Sequence, residues 1–342
     1  MIVSCFCKFN VPKMVSVYNA DMTDEFNPPF YIRSAFAQTL LASSKSRTKG
    51  KNPMLQCARE VILHPLNDVQ LQGFYSPQPN GKAQGMVMFL HGWEGSVNSA
   101  YILRTGKVLY EQGFSIFRLN YRDHGNTHHL NPGLFYAVLL DEVFGAIQQV
   151  AKYESELPFY LIGFSMGGNF ALRVARKTAE NPIENLKHVV SISPVLDPEK
   201  STNAIDAYAF LRKYFREKWS RSLLKKQTLF PDLYDLKDIF KLETITEMTE
   251  VMIRRYSEYK SSSDYFSHYA VVGDALADVK VPVTIITSQD DPIIPVEDFY
   301  NLKLPSSTDL IIHRYGGHNG FIETLSGRAW YEKKIIDKMQ LF

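Results

Sequence analysis

Gly163-Phe164-Ser165-Met166-Gly167 is the stretch on which the reading of this chain turns. It spells G-x-S-x-G. Before it, Pro158-Phe159-Tyr160-Leu161-Ile162 is apolar and aromatic and predicts a short buried strand. After it, residues 168–176 predict a helix. A serine on the sharp turn between strand and helix has its hydroxyl pushed out at the carboxyl edge of a sheet. The flanking glycines keep side chains off the neighbouring backbone there. The bare motif is common, but this context makes Ser165 a candidate nucleophile rather than an ordinary turn serine.

Outward from that turn the chain alternates strand and helix. Residues 85–90, 114–119 and 189–193 predict strands, with helices at 100–112 and 135–152 between them. Residues 281–287 and 310–313 predict two further strands, and 321–340 a last helix. Towards the amino terminus, 60–64 and 69–75 read as strands, 34–43 as a helix and 44–53 as a polar, basic loop. Asn27-Pro28-Pro29-Phe30 excludes a helix at that point. Repeated alternation argues an α/β fold, with a mostly parallel central sheet flanked by helices on both faces. The rhythm stops between 198 and 278, where aromatic and charged residues such as Tyr208, Phe215 and Trp219 predict a helical lid insertion. The expected organisation is an N-terminal extension (1–55), a core in two pieces (56–197 and 279–342) and a helical cap (198–278).

Composition bounds the function. The 342 residues are 45% hydrophobic and 13% aromatic, enough to bury a full core. A net charge of +2 without a long basic stripe argues against a nucleic-acid partner. No apolar run reaches the roughly 18 residues of a transmembrane segment, and Lys8 interrupts the opening apolar run before a signal peptide could form. Three cysteines, Cys5, Cys7 and Cys57, cannot all pair and show no metal-site spacing, so a reduced, cytoplasmic setting is the expectation.

A serine hydroxyl needs a base to take its proton and a third group to orient that base. With a serine on such a turn, the acid and then the histidine follow it in the chain. Thr287-Ser288-Gln289-Asp290-Asp291-Pro292 closes the strand two after the serine's. Asp291, four residues before Pro295, is the favoured acid, with Asp290 capping or bracing the turn. Asp290 as the acid, or both as turn aspartates, are the alternatives. His318 lies in Gly316-Gly317-His318-Asn319-Gly320, a glycine-framed loop after the last strand. An oxyanion needs two preorganised donors. The Met166 amide is one candidate, and the Trp93 amide in His91-Gly92-Trp93-Glu94-Gly95-Ser96 is the other. His91 reads as a buried structural histidine. Asp123, His124, His128 and His129 cluster in sequence without a metal-site spacing, so no metal is assigned.

Together these motifs resemble the α/β-hydrolase superfamily, and within it the YheT-like branch of uncharacterised or lipid-ester hydrolases. The resemblance rests on residues 91–96, 163–169, 290–292 and 317–321, with Asp264-Tyr265 and Ala37-Gln38-Thr39-Leu40 in support. It implies an α/β-hydrolase fold and carboxylic-ester hydrolysis through Ser165, Asp291 and His318, without a cofactor. The branch more often carries a small residue at the place of Asp123 or His124. The expected substrate is a small-molecule ester, acyl or aromatic. An acyltransferase or a ligand-binding protein on the same scaffold are the alternatives.

Overall fold

The computed structural model describes residues 26–325 and 327–341, so the amino-terminal residues that include Cys5 and Cys7 lie outside the described residues. Among the described residues eight strands form one sheet: β1 (Arg59–Leu63), β2 (Leu71–Ser76), β3 (Met86–Leu90), β4 (Ser115–Leu119), β5 (Phe159–Phe164), β6 (Leu186–Ile192), β7 (Val283–Ser288) and β8 (Thr308–His313). Their spatial order is β1-β2-β4-β3-β5-β6-β7-β8. β2 runs antiparallel to β1 and β4, and every other pairing is parallel. Every residue of β3, β4, β5 and β7 is buried, as a parallel sheet covered on both faces requires, whereas the edge strand β1 is mostly exposed.

The helices are α1 (Ala35–Ala42), α2 (Pro53–Gln56), α3 (Ala100–Glu111), α4 (Leu140–Ala151), α5 (Met166–Lys177), α6 (Pro198–Ala207), α7 (Ala209–Leu229), α8 (Ile245–Tyr256), α9 (Ser262–Ser267), α10 (Glu297–Tyr300) and α11 (Trp330–Met339). The two-residue alternation of a strand divides the core. Met86, Met88 and Leu90 of β3 face a cluster that includes α4 and α5, while Val87 and Phe89 face α3 and α11. Phe26, Ile32 and Met54 join the second cluster, so the described residues ahead of β1 are packed onto the core. A third cluster joins Leu223, Leu236, Met248 and Met252 of the helical segment to Leu134.

Two expected helices are shorter than the sequence suggests. The helix expected over 135–152 begins at Leu140. Tertiary partners take the backbone groups ahead of it: Phe135 N donates to Asp123 Oδ2, Ala137 N to the Tyr265 hydroxyl, and Ala137 O accepts from Arg173 Nη1. The helix expected over 321–340 begins at Trp330. Ahead of it, the buried Gln38 side chain pairs with both backbone groups of Ile322, and Gly327 turns at φ +80°. In the segment 198–278 the last helix ends at Ser267, and the loop expected over 44–53 holds a 3-10 turn at Lys45–Thr48.

Candidate active site

Ser165 sits between β5 and α5 with φ +56° and ψ −118°, a conformation that non-glycine residues rarely adopt. A side chain on Gly163 would collide with the Gly167 carbonyl, and one on Gly167 with the carbonyls of Leu90 and His91. Both glycines of the motif are therefore steric necessities of the turn.

β7 and β8 deliver the partners. His318 Nε2 lies 2.9 Å from Ser165 Oγ, and His318 Nδ1 lies 2.9 Å from Asp291 Oδ2. The carboxylate selects the tautomer with a proton on Nδ1, which leaves the Nε2 lone pair for the serine O–H. Asp291 Oδ1 accepts from the amides of Ile293 (2.8 Å) and Ile294 (3.0 Å), which fixes the carboxylate in place. Asp290 turns elsewhere, and its Oδ1 accepts from Gly317 N at 2.9 Å. One aspartate thus touches the imidazole and its neighbour braces the loop that carries it.

That loop has further supports that sequence reasoning missed. His318 N donates to Thr39 Oγ1 of α1 at 2.9 Å, and Asn319 N donates to Ser193 Oγ at 3.1 Å. A Cβ on Gly317 (φ +52°) would meet Thr39 Oγ1 and the Gln38 side chain at 2.9 Å. α1 is thereby part of the site's frame.

Met166 N is the first amide of α5, and Trp93 N lies on the loop after β3. Among the described residues neither donates to a protein acceptor. Gly92 packs this loop against the nucleophile, since a Cβ there would lie 3.2 Å from Ser165 Cβ. The flanking amides are spoken for: Gly92 N donates to the Tyr101 hydroxyl (3.0 Å) and Glu94 N to His124 Nε2 (3.2 Å). His124 Nδ1 in turn faces the Arg122 carbonyl at 2.8 Å, and burial pushes its pKa down to about 4, so it stays neutral. His91 is buried, with Nδ1 2.8 Å from the Gly92 carbonyl, as its structural reading expects; burial holds its pKa well below the usual histidine range.

A family model described as serine aminopeptidase, S33, matches residues 81–325, most of the chain. The chain belongs to this family of α/β hydrolases. It is 23% identical to an abhydrolase domain-containing protein of Dictyostelium discoideum, covering 93% of this chain and 81% of the relative. It is 26% identical to a putative esterase of Synechocystis (87% of each chain), and 22% identical to a monoacylglycerol lipase of Saccharomyces cerevisiae (79% of this chain, 63% of the relative). The fold matches the esterase Pf2001 of Pyrococcus furiosus, with TM-score 0.55 and 16% identity over 86% of this chain and 94% of that one. Among the described residues no helix is long and apolar enough to cross a membrane.

In this α/β hydrolase, α7 meets the loops around Ser165 through a polar stripe at 218, 222 and 226. Lys218 Nζ donates to the Glu94 carbonyl at 3.2 Å. Ser222 Oγ donates to the Asp123 carbonyl at 3.2 Å and lies 2.8 Å from His128 Nε2. The fully buried Lys226 pairs with Asp123 Oδ1 at 2.7 Å and donates to the Asn131 carbonyl at 2.6 Å. Beside the stripe, the Trp93 ring stacks on Phe215 (centroids 5.4 Å apart) and meets Trp219 edge-on (5.3 Å). The helical four-residue spacing was visible in the sequence, but nothing there marked the stripe as buried. Among the described residues the loop after β4 forms no metal-binding group, because Asp123 is committed to Lys226 and His128 to Ser222.

Between this helical segment and the sheet edge lies a cavity of about 880 Å³. Ser165, His318, Trp93 and Met166 line it from the core, and α6 to α9 line it with Ile205, Phe215, Ile253 and Phe266 among others. That is the size and character of a small-molecule site.

Proposed function

We propose that this α/β hydrolase cleaves carboxylic esters through a Ser165–His318–Asp291 triad and an acyl-enzyme. One observation carries the reading: the unbroken series Ser165 Oγ, His318 Nε2, His318 Nδ1 and Asp291 Oδ2, with both links at 2.9 Å. As Ser165 Oγ bonds the acyl carbon, its proton passes to Nε2, and Asp291 stabilises the imidazolium. The Met166 and Trp93 amides receive the oxyanion. Nε2 then protonates the departing alcohol, and the carbon–oxygen bond of the ester breaks. Water, deprotonated by the same nitrogen, releases the acid and restores Ser165. The segment α6 to α9 serves as the lid, and its apolar lining favours an acyl chain.

The family description names a peptidase, which runs the same acyl chemistry. An aminopeptidase must hold a free ammonium group, yet the charged groups lining this cavity are mainly cations. The relatives named esterase and lipase also favour an ester. The test is hydrolysis of p-nitrophenyl esters of increasing chain length beside aminoacyl p-nitroanilides, with an added alcohol as a competing acceptor. Ester turnover that Ser165→Ala abolishes, with the acyl group passing to water, is the expected result. Turnover of anilides alone overturns the ester reading, and acyl passage to the alcohol makes the protein a transferase.

A further inference from the structure

We propose that the cavity selects esters bearing an anionic group, a phosphate or a carboxylate, within a few bonds of the scissile carbonyl. The inference rests on the ester-hydrolase reading and names its substrate class.

Five cations (Lys45, Lys218, Arg221, Lys225 and Lys226) and two carboxylates (Glu94 and Asp123) line the cavity. Lys226 and Asp123 cancel as a buried pair, which leaves the half-buried Lys218 and the exposed Lys45, Arg221 and Lys225 of the cavity rim against one carboxylate. Three of the four, Lys218, Arg221 and Lys225, are spaced three and four apart on α7 and share a face. Glu94 is the acid within reach of all three. Burial pushes its pKa up to about 7, so it neutralises them only in part at neutral pH. Cations gathered around one cleft raise the local potential and draw an anion to its mouth.

The position of this charge narrows the ligand. Lys218 touches the Glu94 carbonyl, and two residues earlier Gly92 packs against Ser165. The near end of the cationic face, Lys218, therefore rests on the loop that packs against the nucleophile. Ile205, Ile245, Ile253 and Phe266 line the cavity with apolar surface suited to the acyl chain. An amphiphile with its charge close to the ester fits both features. A neutral ester gains nothing from these cations, and an ester charged at the far end of its chain puts the anion in apolar surroundings.

The test uses ethers, which cannot be hydrolysed and so report recognition whatever the chemistry. Binding of 1-O-dodecylglycerol, its 3-phosphate and 2-dodecyloxypropanoate is followed by tryptophan fluorescence at low salt. The expected result is at least tenfold tighter binding of one or both anionic ethers, reduced in 0.5 M NaCl. The phosphate and carboxylate arms show which anion is taken. Arg221→Gln with Lys225→Gln brings the ratio to within about twofold, while Arg221→Lys with Lys225→Arg, which keeps the charge, retains it. Equal affinities, preference for the uncharged ether, or no binding of any ether overturns the inference. Fluorophosphonate labelling of the same sample reports the nucleophile separately, so loss of the hydrolase reading is not mistaken for loss of anion selection.

Discussion

The two walls of the cavity are held by different physics. The core wall, which carries Ser165, His318 and Asp291, hangs on a sheet whose central strands are buried along their length. Its geometry follows from apolar packing, two obligatory glycines and short backbone hydrogen bonds. The facing wall docks through a lysine–aspartate pair, a serine, lysine–carbonyl bonds from Lys218 and Lys226, and a Trp93 ring stacked on Phe215 and met edge-on by Trp219. Apolar burial is non-directional, whereas a buried ion pair costs a great deal once one partner is removed. Changes to the polar side chains of the first wall should therefore alter chemistry with little change in stability. Changes on the second should alter stability first and chemistry through the Trp93–Glu94 loop.

The largest effect belongs to the first wall. Asp291→Asn keeps the shape and both amide contacts but removes the charge that selects the tautomer. A fall in kcat of about 10³–10⁴ is expected, with Tm almost unchanged; a loss under tenfold would break the contrast. On the second wall, Lys226→Met strands Asp123 in the interior and should cost about 3–5 kcal/mol in urea unfolding. Adding Asp123→Asn to that variant should recover most of the loss, which separates the buried charge from lost packing. Glu94 sharpens the comparison through pH. Its carboxyl is raised from 4.5 to about 7 by burial, so between those values the folded chain binds more protons than the unfolded one. Stability is therefore lost as pH rises through that window. Glu94→Gln should gain on the wild type from pH 5 to 8 by up to about 3 kcal/mol, less where water still reaches the side chain. Equal pH profiles would remove Glu94 from the account. The smallest effect is at Lys218, a positioning residue for the Trp93 loop. Lys218→Met should lower kcat on a neutral ester by about tenfold with KM little changed, and Lys218→Arg should restore it.

Legibility in the sequence follows the same division. The central strands, the turn at Ser165 and the chain order of serine, acid and histidine were readable because each leaves a local mark: an apolar run, a glycine frame, a place after a strand. Asp290 and Asp291 could be separated only as a preference, since adjacent turn residues differ in where their side chains point. The helix boundaries at Leu140 and Trp330 were misread because the competing partners of those backbones, Asp123, Tyr265 and Gln38, are distant in sequence. The same holds for Thr39, which receives the His318 amide across 279 positions. Lys226 was the least legible residue, because a lysine at a helical position reads as solvated until its aspartate is known.

The central claim is that Ser165 is a nucleophile made reactive by His318. Treatment with a fluorophosphonate, followed by peptide mass spectrometry, tests it most directly. The account predicts a single adduct on Ser165 in the wild type, slowed at least a hundredfold in the folded His318→Ala variant. Labelling at another residue, or none in a folded wild-type sample, would contradict it.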